Sequence, residues 1–174
     1  LDLPSVKSIG YSFIYENKSL AKINLPSVMR IGSSFLKLNE SLTNIDLPLV
    51  DFIGGQFLFF NESLENINLP SVRQIHNTFL YSNEILKTFK LPELVDIGTD
   101  FLYYNNALTT LELPKVERID DDFLFNNMSL ENLELPSIKI FSPIGFFSKN
   151  KALANKIALA SMESTEVRSK AQMP

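Results

Sequence analysis

The 174-residue chain has no cysteine, no tryptophan, a single histidine and only 6 glycines. Without cysteine there can be no disulfide-linked terminal caps, no thiolate nucleophile and no Cys-ligated zinc. The few glycines spell neither G-x-x-x-x-G-K nor G-x-G-x-x-G, and no Ser/His/Asp set stands apart from the pattern described below, so nucleotide-dependent and hydrolytic chemistry have no foothold. No apolar run reaches the ~18 residues of a membrane-spanning helix. Excess positive charge is also missing. Sixteen Lys and Arg stand against 20 Asp and Glu, a net charge of -4, and no face gathers the cations that a phosphate backbone demands.

What the chain does have is a period. Pro4, Pro26, Pro48, Pro70, Pro92, Pro114 and Pro136 stand 22 residues apart. A period of this length marks a solenoid, in which a unit too small to bury an apolar face alone gains its core by stacking on its neighbours. Six complete units obey L-P-x-V-x-x-I-x-x-x-F-L-x-x-N-x-x-L-x-x-I-x. One inward column is Phe13, Phe35, Phe57, Phe79, Phe101 and Phe123, followed in each unit by Ile14 or a leucine such as Leu58 or Leu80. A second runs from Leu20 to Leu130, a third is Ile23, Ile45, Ile67, Phe89, Leu111 and Leu133, and a fourth runs from Ile9 to Ile119.

The segment L-x-x-I-x-L-P alternates apolar and polar residues as a half-buried strand does, and proline ends it for want of an N–H. Stacking predicts one continuous parallel sheet of these strands in chain order, ~4.8 Å apart. A second, shorter parallel ladder is expected at F-L-Y-Y-N and F-L-F-F-N, which are rich in strand formers. Asn17, Asn39, Asn61, Asn83, Asn105 and Asn127 form an amide column, expected to satisfy main-chain groups inside the coil. Gly10, Gly32, Gly54 and Gly98 share a column with His76 and Asp120. Glycine there suggests positive φ, and His76 reads as a structural exception and not a general base.

On these residues, and in one unit on Leu20, Ile23, Leu25, Pro26, Val28, Ile31, Gly32, Phe35, Leu36, Asn39 and Leu42, the chain resembles the BspA-like bacterial surface and secreted class of leucine-rich repeat proteins. The resemblance covers residues 1 to about 141. The unit departs from the class by being one residue shorter after proline, by Asn where Cys is frequent and by Phe-Leu for Ala-Phe. It implies a repeat solenoid with a parallel β-sheet on its concave face, binding other macromolecules.

The organisation expected is leucine-rich repeats over 1–141, comprising six complete units and a partial seventh, then a C-terminal cap over 142–160 and a polar, disordered tail over 161–174. Ser148 would cap a helix running to about Ala160, with Leu153, Ile157 and Ala160 on one face. The Ser/Glu/Thr tail also resembles C-terminal export signals of bacterial effectors. Leu1 already lies inside a unit, which predicts a longer precursor. Four N-x-S sequons, at Asn17, Asn39, Asn61 and Asn127, all fall on the amide column, so the structural reading is preferred over glycosylation. Asp120-Asp121-Asp122 reads as a solvated turn because it offers no EF-hand spacing for calcium.

Function falls to the positions that packing does not dictate. On the concave strands these are Lys22 and Asn24, Asn44 and Asp46, and the preferred partner-binding set of Asn66, Asn68, Thr88, Lys90, Thr110, Glu112, Asn132 and Glu134. Between 112 and 134, seven acidic residues face Lys115 and Arg118, a balance of -5 that would steer a basic partner. An aromatic stripe of Tyr15, Phe59, Phe60, Tyr81, Tyr103, Tyr104 and Phe125 is read first as packing, with Phe60 and Tyr104 as the alternative contact surface. The expectation is a non-enzymatic domain with no catalytic, metal or cofactor residues, which binds a protein ahead of a glycan, the charge balance favouring a basic protein. It would be secreted or on the surface of a bacterium, or delivered into a host cell. Rival expectations are a structural spacer and the substrate-recognition part of a larger secreted enzyme or effector.

Overall fold

The computed structural model describes residues 1–141 and Asn150. The expected capping helix and tail lie outside the described residues. Six coils, each opening at its proline and carrying one residue of the Phe13 to Phe123 column, stack around a single apolar core.

The strands fall into two parallel families. One comprises β3 (Asn44–Asp46), β5 (Asn66–Asn68), β7 (Thr88–Lys90), β9 (Thr110–Glu112) and β11 (Asn132–Glu134). These are the predicted strands, narrowed to x-I-x just before Leu-Pro. The other comprises β1 (Ser8–Ile9), β2 (Arg30–Ile31), β4 (Phe52–Ile53), β6 (Gln74–Ile75), β8 (Asp96–Ile97), β10 (Arg118–Ile119) and β12 (Ile140–Phe141). All pairs are parallel, with partners 22 residues apart such as Ile31 with Ile53 and Asn44 with Asn66.

The second ladder is therefore not at F-L-Y-Y-N, as the strand-forming residues suggested. That segment alternates into the left-handed region: in the second coil Ser34, Leu36 and Leu38 have φ of 60, 50 and 59°, and each other coil repeats the pattern. The alternation turns successive N–H groups outward to opposite neighbours. Ser34 N donates forward to Gly55 O at 2.8 Å, Leu36 N backward to Phe13 O at 2.9 Å and Leu38 N forward to Phe59 O at 2.8 Å. A left-handed L-residue costs ~1 to 2 kcal/mol. The cost is offset because in the second, third and fourth coils every such N–H finds a carbonyl and because the Phe-Leu pair reaches the core. Phe35, Leu36, Phe57, Leu58, Phe79 and Leu80 are fully buried, and the Phe13 to Phe123 rings form one stack, with centroids 5.2 to 5.8 Å apart.

The glycine column has a different cause from the one predicted. None of its members has positive φ; at Gly32, Gly54 and Gly98 the backbone of the preceding coil nearly touches. A Cβ on Gly54 would lie 2.6 Å from Ser33 N and 2.7 Å from Gly32 C.

The amide column behaves as expected and extends further than expected. Asn39, Asn61, Asn83, Asn105 and Asn127 are fully buried. Each Nδ2 donates to a carbonyl of the preceding coil, Asn61 to Leu36 O at 3.0 Å and Asn105 to Leu80 O at 2.8 Å. Asn150, buried, continues the ladder to Leu124 O at 2.7 Å. Asn17 departs from the expectation. It is exposed, its Oδ1 accepting Ser19 N at 3.0 Å, so burial shields the sequons at Asn39, Asn61 and Asn127 but not this one.

Candidate functional site

The x-I-x strands carry the predicted binding positions on one face. Ile45, Phe89 and Leu111 point into the core while their flanking residues point out. Asn66, Asn68, Thr88, Lys90, Asn132 and Glu134 are exposed, and Thr110 and Glu112 half-buried. Sequence alternation placed these side chains correctly, because the strand pleat leaves no other choice.

The face is not the single sheet predicted. Paired strands join β3 to β5, and β7 through β9 to β11, while an isolated bridge joins Asp2 to Asn24. Pairing lapses between Asn24 and Asp46 and between Asn68 and Lys90, although the other ladder runs unbroken from β1 through β8. Side chains follow the same segments. Asn24 Nδ2 donates to Asp2 Oδ1 at 2.9 Å, Asn66 Nδ2 to Asn44 Oδ1 at 2.8 Å and Asn68 Nδ2 to Asp46 Oδ1 at 2.9 Å, while Lys90 pairs with Glu112. The hydrogen bond and charge of Glu112 hold the Lys90 ammonium above the usual lysine range.

At the second lapse the face opens into a cleft of about 420 Å³, lined by Asn68, Pro70, Thr88, Lys90, Pro92 and Glu112 among others. Beside it a second depression is lined by Glu65, Asn66, Ile85, Lys87 and Thr88. Ile85 is 41% exposed, a large apolar side chain at the edge of a polar face. Sequence reasoning passed it over, yet a signal was there: Ile85 interrupts a column otherwise held by Ser19, Ser41, Ser63, Ala107 and Ser129. Six of the eight predicted positions, Asn66, Asn68, Thr88, Lys90, Thr110 and Glu112, line these two depressions. Asn132 and Glu134 sit further along β11.

The acidic end is less bare than its composition suggests. Glu112 pairs with Lys90, Glu117 with Lys139 at 2.7 Å and Asp120 with Arg118 at 2.9 Å. The aromatic stripe is a second outer stack. Phe59, Tyr81, Tyr103 and Phe125 follow one another at 4.7, 5.1 and 4.5 Å, and Lys37 replaces an aromatic in the second coil with its Nζ 4.6 Å above Phe59. Phe60 and Tyr104 lean onto this stack, 5.3 and 5.9 Å from Tyr81, on either side of the buried Ser82. All are half-buried, and in the stack the rings cover one another's faces.

Burial pushes the Tyr81 and Tyr103 phenols above their ordinary 10.0, with Tyr104 adding to both. A phenol held neutral by the fold stabilises it below the unfolded value, and that stability is lost as pH rises through the folded value. Phenolate absorbance is therefore expected to appear at higher pH in the folded protein than after denaturation in urea, with stability falling as pH rises above 10.0. The double variant Tyr81→Phe, Tyr103→Phe should lose the late phase; an unchanged titration would show that the stack does not bury these groups.

The family model for the BspA type leucine rich repeat region matches residues 1–84 and 53–154, in 6 copies. The chain belongs to this family. Comparison with curated proteins and with solved structures gave no match. Leucine-rich repeats commonly bind proteins, so the family points to a protein-interaction module, and repeats of this type occur in bacterial surface proteins. Among the described residues no helix is long and apolar enough to cross a membrane.

Proposed function

We propose that this chain is a non-enzymatic recognition domain of a secreted or surface-exposed bacterial protein, and that it binds a protein partner across the x-I-x strand face, centred on the cleft between Asn68 and Lys90. The observation that carries this reading is the coincidence of two independent features. The side chains that vary freely on the repeat, Asn66, Asn68, Thr88, Lys90 and Glu112, are the ones that line the opening where strand pairing lapses. Main-chain groups at such a lapse, together with the exposed Ile85, offer a partner both hydrogen bonds and an apolar anchor. Glu112 and Glu134, neighbours in the β9–β11 register, add negative potential that favours a basic contact surface.

The test is capture of a partner from the relevant secretome or host extract, followed by point variants. Glu112→Lys with Glu134→Lys is expected to weaken binding at least tenfold, mainly through slower association, and Ile85→Ser to weaken it through faster dissociation, all without lowering the melting temperature. Normal binding by these variants, with loss of binding in a folded Phe60→Ala or Tyr104→Ala protein, would move the contact to the aromatic stripe. A spacer role predicts that no substitution on either surface matters.

A further inference from the structure

Just ahead of the buried isoleucines of β1, β2, β4, β6, β8 and β10, a largely exposed column reads Lys7, Met29, Asp51, Arg73, Val95, Glu117 over the six coils, and Lys139 follows it at β12. Its order is antisymmetric in charge. Read from the other end, each cation meets an acid and Met29 meets Val95. In the adjoining column Arg30 in the second coil and Asp96 in the fifth stand in the same relation, while Arg118 in the sixth meets Ser8 in the first and Phe52 meets Gln74. We infer that this face binds a second copy of the same chain, the two solenoids running in opposite directions about a two-fold axis that lies along the strands between the third and fourth coils.

Such an axis sets Asp51 against Arg73, Arg30 against Asp96 and Lys7 against Glu117 of the other copy, each contact occurring twice, as an isologous interface requires. Register needs no adjustment, because both copies repeat at the same ~4.8 Å spacing. The central groups are only partly satisfied within one chain, where Asp96 Oδ2 accepts Gln74 Nε2 at 3.1 Å. Asp51 and Arg73 are neighbours on adjacent coils, as are Glu117 and Lys139, which close to 2.7 Å; yet Arg73 makes no ion pair among the described residues. Asp51 Oδ1 is buried without a hydrogen-bond partner. Arg30 lies over the Phe52 ring at 4.8 Å and makes no ion pair among the described residues. Arg30, Asp51, Arg73 and Asp96 line one groove of about 330 Å³, and Met29 beside it is 48% exposed. This face is separate from the x-I-x strands, so its fate is independent of the proposed partner site.

Sedimentation equilibrium of the 174-residue chain tests the inference. The wild type is expected to associate to a dimer that loosens as salt rises. One variant, Arg30→Glu with Arg73→Glu, makes the four central charges all acidic; another, Asp51→Lys with Asp96→Lys, makes them all basic. Each alone should be at least roughly 100-fold weaker in self-association, and an equimolar mixture should form the heterodimer. Circular dichroism reports whether each variant is folded, and the milder Arg73→Gln, which removes no core side chain, should weaken the dimer roughly tenfold if the reversals fail to fold. A wild type that stays monomeric to about 1 mM overturns the inference, as do charge-reversed chains that dimerise as well alone as mixed.

Discussion

Removing the ring of Phe79 or Phe101 by substitution with alanine is expected to cost ~3 to 5 kcal/mol, enough to abolish most of the stability of a small domain. Phe79 is fully buried and Phe101 1% exposed. Each lies between two parallel rings, Phe79 at 5.4 Å from Phe57 and 5.2 Å from Phe101, and Phe101 at 5.5 Å from Phe123. The hole left behind cannot collapse easily. Its walls are the next coils, held at fixed separation by strand pairs on one side and by the left-handed Phe-Leu segment on the other. Leu80 N donates to Phe57 O at 3.0 Å and Leu102 N to Phe79 O at 2.9 Å, so the cavity also loosens the hydrogen bonds that hold the coil in register. Because a solenoid is stabilised by nearest-neighbour interfaces, a central lesion weakens two of them. Phe13→Ala, at a half-buried ring with one stacked neighbour, should cost distinctly less. Urea denaturation of the three variants measures the order directly. Losses under about 1 kcal/mol at both central sites would mean that the ring stack does not carry the core.

The inward columns could be read from sequence because burial is a property of side chains. Phe, Leu and Ile recurring at a fixed interval have one way to leave water together, and the members of the predicted columns from Ile31 to Leu124 are buried, with Ile67 alone half-buried. Backbone conformation was less legible. F-L-Y-Y-N favours a strand when each residue is weighed separately, whereas in the coil Leu80, Ser82, Leu102 and Tyr104 accept left-handed φ because neighbouring coils supply carbonyls for their N–H groups. Glycine misled for a related reason: Gly54 and Gly98 are selected by the distance to the previous coil, a quantity that no single unit encodes.

The site was half legible on the same grounds. Pleat geometry gave the outward positions, but the lapses in pairing after Asn24 and Asn68 depend on two coils at once and are written in no single unit, so the cleft and the value of Ile85 became visible only with the fold. Asn150 shows the limit from the other side. Phe146-Phe147-Ser148-Lys149-Asn150 repeats F-L-x-x-N one residue late, and strict adherence to the 22-residue spacing assigned it to a cap although Asn150 joins the amide ladder.

That ladder supplies the second large effect. Asn61→Leu adds apolar surface in a buried site, which by itself would favour folding by about 1 kcal/mol, yet it is expected to destabilise by ~2 to 5 kcal/mol. Asn61 Nδ2 donates to Leu36 O at 3.0 Å and to Phe59 O at 3.4 Å, and its Oδ1 accepts Asn39 N at 3.1 Å. Phe59 O keeps a second donor, Leu38 N at 2.8 Å. Leu36 O and Asn39 N lose the partner that Asn61 gives them, and a buried main-chain group left unpaired costs ~1 to 3 kcal/mol. The ladder alternates, which sets an internal control. Asn83 Oδ1 is buried but accepts no hydrogen bond, so Asn83→Leu removes the donation to Leu58 O without orphaning an N–H below it. Asn105, whose Oδ1 accepts Asn83 N at 3.1 Å, belongs with Asn61. Thermal and urea melts should therefore rank Asn61→Leu and Asn105→Leu below Asn83→Leu, with a gap of ~1 to 3 kcal/mol that reports the main-chain N–H alone. Equal losses at all three positions would place the stabilisation in the Nδ2 donations, and a raised melting temperature at Asn61 would show that the coil interior prefers a hydrocarbon to an amide.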